Sequence, residues 1–220
     1  MKKYQPILFN QNMLKAIVDG KKTQTRRPLK FKQYVQLCKI HGEDLEKQLE
    51  GEVLTTTIDT TNINEDYTFN GAFSKGDILY IRETFREWPK GVYQYKLSTP
   101  AGAELEKWKP SIHMPKEAAR YFLKVTNVKI ERLGDISEVD ALKEGMSIYG
   151  PFLNMMTSEQ REEFKKNTPP PIYYTAKDAF LTETYDIFKK SKNFNKSDLS
   201  RKYMYVWVYE FELVDKPQDF

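Results

Sequence analysis

The sequence has few of the residues that build covalent or metal-based scaffolds. Its 220 residues include one cysteine, Cys38, and two histidines, His41 and His113. A single cysteine excludes an internal disulfide and suits a reducing compartment. Together the three residues are too few for a finger-type zinc site. A carboxylate-rich magnesium site stays open, but no spacing of acidic residues points to one, so we expect no metal and no cofactor.

Long apolar stretches are also absent. No run approaches the roughly 20 apolar residues of a membrane-spanning helix. The first residues, Met1 to Pro6, lack the apolar centre of a signal peptide. These absences predict a cytoplasmic protein without a membrane partner. Hydrophobic residues still form 40% of the chain and aromatic residues 14%, which suffices for a packed core and leaves aromatic rings for stacking on bases.

The net charge is only +4, but it is distributed unevenly. Residues 1–32 hold nine cations against the single anion Asp19, whereas residues 43–66 hold eight carboxylates against Lys47 alone. A protein that coats long duplex DNA is usually basic more uniformly. The asymmetry favours a focused positive pocket for a nucleotide or a short single strand.

One stretch near the N-terminus, from Val18 to Pro28, organises the chain. Upstream apolar residues recur at helical spacing, and Asn10 or Asn12 is a plausible N-cap. Gly20 stands where a glycine ends a helix, and the following segment is predicted to be extended. One face would then carry Lys22, Gln24 and Arg26, and the other Thr23, Thr25 and Arg27. A run of cations is often a solvated face, and that interpretation stays open here.

The remaining pattern predicts short strands and peripheral helices. Strands are expected within 78–85, 92–96, 121–133 and 203–213, and the third changes its alternation near Thr126, which indicates a bulge. Helices are expected after the capping boxes Ser137/Asp140 and Thr157/Gln160 and over 175–190. The tracts 33–70 and 147–172 look like insertions, and 55–62 has the composition of an edge hairpin or a loop.

Four phrases of the sequence resemble the ASCH family, which belongs to the PUA-like superfold. The stretch Gly20–Arg27 is similar to the signature G-[KR]-K-T-x-T-x-R, and Gly76–Phe85 to G-D-x-L-x-[IV]-R-E-T-[FW]. Trp108–Arg120 matches W-K-P-S-I-H-M-P-x-x-A-x-R, a phrase of a subgroup common in bacteriophage genomes. Tyr205–Phe211 matches [WY]-V-[WI]-V-x-E-F. The phrases occur in family order and anchor about two thirds of the chain.

The resemblance implies an α+β fold. It implies a small, mostly antiparallel PUA-like β-barrel flanked by helices, formed by a single domain over 1–220 with insertions at 33–70 and 147–172. A cleft would lie beside the Gly20–Arg27 loop. A bacteriophage protein of this kind would act in the cytoplasm of its bacterial host.

A first hypothesis is a binding module for RNA, single-stranded nucleic acid or a modified or unmodified nucleotide. Arg26 is an addition to the family signature, and a further cation suits phosphate. In this hypothesis Lys21, Lys22, Arg26 and Arg27 hold phosphate. The residues expected to contact substrate are Lys21, Thr23, Arg26, Arg27, Arg82, Glu83 and His113. Glu83 or Glu144 would recognise a base, and His113 has the alternative of a loop imidazole bonded to backbone.

A second hypothesis is an enzyme. One ASCH branch resembles N4-acetylcytidine amidohydrolases, and its lysine, threonine and glutamate correspond to Lys22, Thr25 and Glu144. In that chemistry the lysine acts as base, the threonine hydroxyl attacks the amide, and the glutamate orients the pair or protonates the leaving amine. A ribonuclease comes second among enzymes. Glu144 ends a short helix, where the dipole disfavours a carboxylate. A structural or interaction role also stays open, and the sequence does not predict the oligomeric state.

Overall fold

The computed structural model describes residues 4–29, 33, 71–100, 107–146, 157–167, 175–189 and 205–220. The strands are β1 (Tyr4–Leu8), β2 (Gln24–Pro28), β3 (Ile78–Arg82), β4 (Phe85–Glu87), β5 (Tyr93–Tyr95), β6 (Phe122–Arg132) and β7 (Tyr205–Val214). The α-helices are α1 (Gln11–Val18), α2 (Glu138–Lys143), α3 (Ser158–Asn167) and α4 (Ala176–Lys189). Single 3-10 turns cover Lys96–Ser98, Ser111–His113, Lys116–Ala118 and Leu133–Asp135.

Five strands form one sheet in the order β1, β3, β6, β7, β2, and β4 pairs with β5 in a separate hairpin. β1 and β3 are parallel, with Tyr4 opposite Ile78. β3 and β6 are antiparallel, with Leu79 opposite Leu123. The α+β class with a mostly antiparallel sheet is therefore confirmed.

Among the described strands the sheet is open, which corrects the expected barrel. A barrel closes only when its two edge strands hydrogen-bond to each other. In the described part of the chain each edge strand, β1 and β2, has a neighbour on one side only. β1 was not anticipated from the sequence, because Pro6 weakens the strand signal. Proline is tolerated at a sheet edge, where its missing N–H is not needed.

The chain divides into two compact units. The first comprises Met1–Thr23, Ala72–Val128 and Tyr209–Phe220. One of its apolar clusters packs α1 against β3 and β6 and contains Leu14, Ile17, Leu79 and Leu123. A second cluster joins β3 and β6 to the 108–119 segment and contains Ile78, Phe85, Met114, Ala118 and Phe122.

The second unit comprises Gln24–Gly71 and Lys129–Val208. Its core packs α2 and α4 against β7 through Ala141, Phe180, Val206 and Val208. The backbone at the start of α4 is held by Glu138, whose carboxylate accepts from the N–H groups of Ala176 (2.6 Å) and Lys177 (3.0 Å). A carboxylate at this position also complements the positive end of the helix dipole.

Several local predictions are confirmed, whereas others fall outside the described residues. Ser137 and Thr157 cap their helices: the backbone N–H of Asp140 donates to Ser137 Oγ (3.0 Å) and that of Gln160 to Thr157 Oγ1 (3.3 Å). β7 is a central strand, as expected. The 33–70 tract, including the predicted hairpin at 55–62, lies outside the described residues except for residue 33. Among helices in the described ranges, none is long and apolar enough to cross a bilayer.

Candidate functional site

The turn after α1 places two adjacent lysines, Lys21 and Lys22, in different surroundings. Asn10 caps the helix by accepting from the backbone N–H of Met13 (2.8 Å), and Gly20 ends it at φ +71°. The N–H groups of Lys21 and Lys22 both donate to the carbonyl of Ala16 (2.8 and 3.0 Å). The backbone thus wraps around the helix end and fixes the start of the signature segment.

Lys21 and Lys22 differ sharply in exposure. The Lys21 side chain is 72% exposed, with Nζ 4.0 Å from Asp19 Oδ2. Lys22 is 2% exposed, and its Nζ lies 5.9 Å from the centroid of the Phe9 ring. Of these two lysines, only Lys21 presents its side chain to solvent. Thr23, also in the first unit, is exposed, and its carbonyl accepts from the N–H of Phe211 (2.9 Å).

β2 carries a buried polar row in the second unit. Gln24, Thr25 and Arg26 are all buried, while Arg27 is half-buried. Thr25 is also buried, so the strand is covered more completely than a solvated cationic face would be.

Arg26 lies inside a shell of carboxylates. Its Nε and Nη2 are 2.7 and 2.5 Å from Oε1 of Glu131, and its Nη1 is 2.9 Å from Oε1 of Glu144. Nη2 also lies 4.0 Å from Oδ2 of Asp140, and the guanidinium stands 5.5 Å from the Phe180 ring centroid. The arginine side chain has no exposed surface. Charge-assisted bonds of this kind offset the cost of removing a guanidinium from water.

Gln24 is held beside this shell by Asp140. Its Nε2 donates to both the backbone carbonyl and Oδ1 of Asp140, at 3.0 Å each. Its Oε1 is buried and has no hydrogen-bond donor within the part of the chain that the structure describes. An amide oxygen buried without a donor costs about 1–3 kcal/mol. Buried polar atoms usually have a hydrogen-bond partner in the protein or an ordered water, so this oxygen calls for an explanation.

Asp140 is kept ionised by its neighbours. Burial would raise the pKa of Asp140, but hydrogen bonds from Gln24 and Ser137 and the nearby charges of Lys129 and Arg26 lower it below its ordinary value of 3.8. Ser137 Oγ donates to Oδ2 at 2.9 Å. One carboxylate therefore connects the α2 cap to the β2 amide.

Glu144 has a structural partner for its unfavourable place on α2. It is the C-cap residue of that helix and is 3% exposed. The C-terminal end of a helix is partly negative and disfavours a carboxylate. The guanidinium of Arg26 supplies a compensating positive charge to Glu144. The unfavourable position of Glu144 at the end of α2 is thus offset by Arg26, a residue of β2 in the same unit.

The site residues expected in the first unit form a separate group. Glu83 is buried and binds Arg120 in a two-pronged pair, with Nε–Oε1 and Nη2–Oε2 both 2.8 Å. Arg82 is half-buried, and its Nη1 donates to the carbonyl of Ile112 (3.2 Å). His113 is exposed in the neighbouring 3-10 turn. The structure brings Arg82 to the loop of His113, while Arg120 engages both carboxylate oxygens of Glu83.

The expected site residues divide between the units. The first unit contains Lys21, Lys22, Thr23, Arg82, Glu83 and His113, and the second contains Thr25, Arg26, Arg27 and Glu144. Sequence reasoning missed Gln24 and Glu131 as site residues. The sequence offered one signal for Glu131: this acidic residue directly follows the apolar Ile130 near the end of a long strand. In the described residues, no group of three histidine, cysteine, aspartate or glutamate side chains is placed to hold a metal ion.

Comparisons with known proteins give structural neighbours only. No family model matches the chain, and no curated protein matches it. A protein from Enterococcus faecalis V583, described with the family model DUF984, is 14% identical over 91% of this chain, with a TM-score of 0.33. This chain covers 66% of that protein, about two thirds of its length.

An ASCH domain is among the structural neighbours. It comes from Lactobacillus crispatus JV V101, is 12% identical, and is matched over 97% of this chain and 81% of its own, with a TM-score of 0.36. Neither neighbour is described as a bacteriophage protein, so that subgroup stays a prediction. TM-scores below 0.5 leave the assignment of a function to the residues of this chain.

Proposed function

We propose that the chain is an ASCH-type, PUA-like module that binds RNA, single-stranded nucleic acid or a nucleotide at the segment Lys21–Arg27. The observation that carries the proposal is the amide of Gln24. It is 1% exposed, its nitrogen is fixed by Asp140, and its oxygen has no donor among the described residues. The buried oxygen would gain a hydrogen bond from a ligand that supplies a hydrogen, and such a ligand reaches it only when the residues that cover β2 move aside.

The chemistry of the acceptor favours a nucleobase. Exocyclic amino groups of adenine and cytosine donate hydrogen bonds, and glutamine or acidic side chains accept them. Bases in single strands expose these edges, whereas the deep major groove of duplex RNA hides them. An unpaired base is therefore the ligand that matches Gln24.

We assign phosphate contact to the more exposed residues of the segment Lys21–Arg27. Arg26 already binds Glu131 and Glu144 (2.7 and 2.9 Å), so we assign it to positioning β2 instead of holding phosphate. Lys21 is exposed, and Arg27 is half-buried. These two cations are the phosphate-binding residues of the proposal, with Thr23 beside them on the exposed backbone.

The test is binding of a fluorescently labelled single-stranded RNA, measured by anisotropy at several salt concentrations. Lys21→Gln should weaken binding and reduce the slope of log K against log salt by roughly 0.7, the share of one phosphate contact on a single strand. Gln24→Met should weaken binding without changing that slope, because it removes an uncharged acceptor.

Lys75→Gln is the matched control, since Lys75 is an exposed lysine on a turn of the first unit. Its affinity and slope should equal those of the wild type. Equal affinity of wild type, Lys21→Gln and Gln24→Met, with all three folded by circular dichroism, would contradict the proposal.

A second candidate is an amidohydrolase acting on N4-acylated cytidine-type nucleosides, with a ribonuclease behind it. One observation in each unit favours it: Lys22 is 2% exposed in the first unit, and Thr25 and Glu144 are 4 and 3% exposed in the second. Nucleophile and base work best where water is excluded. Arg26 also orients Glu144 at 2.9 Å.

Mass spectrometry of N4-acetylcytidine incubated with the protein tests this candidate. Cytidine and acetate formed by the wild type, retained in Thr25→Ser and lost in Thr25→Val, would establish hydrolysis through the hydroxyl. RNA fragments formed in place of these products would indicate the ribonuclease. Absence of both products at high enzyme concentration, with RNA still bound, leaves the binding module as the function.

A further inference from the structure

A polar cleft lies in the first unit, at the start of α1. It has a volume of about 460 Å³ and is lined by Gln11, Asn12 and Lys15 of the helix and by Lys96, Thr99 and Trp108. Pockets for small ligands typically span about 300–1,000 Å³. None of these residues belongs to the segment Lys21–Arg27, so the cleft is separate from the site proposed above.

The electrostatics of the cleft favour an anion. Lys15 and Lys96 both line it, and no carboxylate appears among its described lining residues. The first turn of α1 contains no acidic residue, although acids are preferred there. The positive end of the helix dipole therefore adds to the charge of the two lysines.

Trp108 gives the cleft an aromatic wall. Its position is fixed by Lys109, which exchanges backbone hydrogen bonds with Phe85 (2.8 and 3.1 Å). The guanidinium of Arg86 lies over the indole ring at 5.6 Å. The indole Nε1–H is buried without an acceptor in the described residues. An indole held in this way is a stacking surface with an unused donor.

We propose that this cleft binds a nucleoside phosphate. The phosphate lies against Lys15, Lys96 and the start of α1. The base lies against Trp108, with the amides of Gln11 and Asn12 at its polar edge. Cations next to an aromatic wall are the usual combination for a nucleotide in a single strand. The ligand is a free nucleotide or one residue of a strand, since both present the same groups.

The cleft and Lys21 can be tested independently. α1 has eight residues and is about 12 Å long, and the cleft lies at its beginning whereas Lys21 follows its end. Substitutions this far apart usually act additively. Failure at one site therefore does not imply failure at the other.

The experiment is NMR of the full chain with ¹⁵N-labelled tryptophan, which gives one indole signal for each of Trp88, Trp108 and Trp207. Disappearance of a signal in Trp108→Phe identifies the one of interest. AMP, a single-stranded RNA and inorganic phosphate are then titrated separately. We expect AMP or the RNA to shift the Trp108 signal, and Lys15→Gln to raise the dissociation constant about tenfold. Lys75→Gln should leave that constant unchanged.

The outcomes separate the sources of the ligand. A shift with AMP supports a free nucleotide, and a salt-sensitive shift with the RNA alone supports a residue of a strand. Either shift that persists in Lys21→Gln supports the cleft even if the proposed function at Lys21–Arg27 fails. An unmoved Trp108 signal at millimolar ligand overturns the inference. Inorganic phosphate binding as tightly as AMP also overturns it, because the base would then contribute nothing.

Discussion

Arg26 and Glu144 bind each other in the second unit, with Nη1 of the arginine 2.9 Å from Oε1 of the glutamate. From the sequence, Arg26 was expected to contact phosphate and Glu144 to take part in catalysis. Both side chains are buried, so each supplies the charge that the other needs away from water. Either residue is therefore available to a ligand only through a rearrangement of the pair.

Arg26→Met should destabilise the protein strongly. The substitution keeps much of the side chain's length but leaves Glu131 and Glu144 buried without their common partner. Loss of one member of a buried ion pair costs about 3–5 kcal/mol. Urea-induced unfolding followed by circular dichroism measures the change.

Lys21→Gln is the control for that measurement. Lys21 belongs to the same basic stretch, but its side chain is 72% exposed. Removing an exposed charge changes stability by no more than about 0.5 kcal/mol. If the free energy of unfolding of Arg26→Met lies within about 1 kcal/mol of the wild-type value, the stability of the carboxylate shell does not depend on the guanidinium.

Ionisation of Asp140 should make the free energy of unfolding depend on pH. Burial would raise the pKa of Asp140, but hydrogen bonds from Gln24 and Ser137 and the charges of Lys129 and Arg26 together lower it below the ordinary 3.8 in the folded protein. The carboxylate therefore stabilises the fold above that ordinary value, and this contribution is lost as the pH falls through the folded pKa. The gap in unfolding free energy between wild type and Asp140→Asn should be widest near neutral pH and narrow below about pH 4.

Urea unfolding of both proteins from about pH 3 to pH 7 measures this gap. Asp135→Asn is the control, since Asp135 is exposed and lies on the turn before the same helix. A constant gap for Asp140→Asn would mean that the ionised form gives no extra stability.

The parts of the fold that follow local rules were predictable. Asn10, Gly20 and Ser137 mark helix ends through side-chain caps or a positive φ, and each signal lies within four residues of its effect. The long strand β6 and the central β7 follow from their β-branched and aromatic residues.

The partners of the candidate site were not predictable in the same way. Arg26 is 105 residues from Glu131 and 118 from Glu144, and Gln24 is 116 from Asp140. Nothing in local periodicity indicates which distant carboxylate will neutralise a given cation. The sequence therefore led to the expectation that Arg26 contacts phosphate, but it did not reveal that Arg26 binds Glu131 and Glu144 in a buried cluster.

Glu83 and Arg120 should be strongly coupled in the first unit. Both oxygens of Glu83 accept from Arg120 at 2.8 Å, and the carboxylate side chain is 1% exposed. We expect Glu83→Gln to lower the free energy of unfolding by about 3 kcal/mol. A double-mutant cycle with Arg120→Met should give a coupling energy of about 1–3 kcal/mol.

Lys124 and Glu212 provide the comparison pair. Their charged atoms are 3.6 Å apart, but both side chains are about half exposed. Exposed pairs rarely contribute more than about 1 kcal/mol, so the same cycle should give a smaller coupling. Equal coupling for the two pairs would mean that burial adds nothing to the Glu83–Arg120 interaction.

Tyr4 should ionise only in strong base. Its hydroxyl donates to Asp219, and this hydrogen bond, together with burial and the charge of Asp219, raises the pKa of Tyr4 to about 12. The neutral phenol therefore stabilises the docked C-terminus fully below the ordinary value of 10, and the contribution is lost as the pH rises through 12. A ¹³C-tyrosine NMR titration, with the signal assigned through Tyr4→Phe, should place the midpoint there. Asp219→Asn should move the midpoint back toward 10, whereas Asp215→Asn should not. A wild-type midpoint near 10 would show that Asp219 does not hold the hydroxyl in solution.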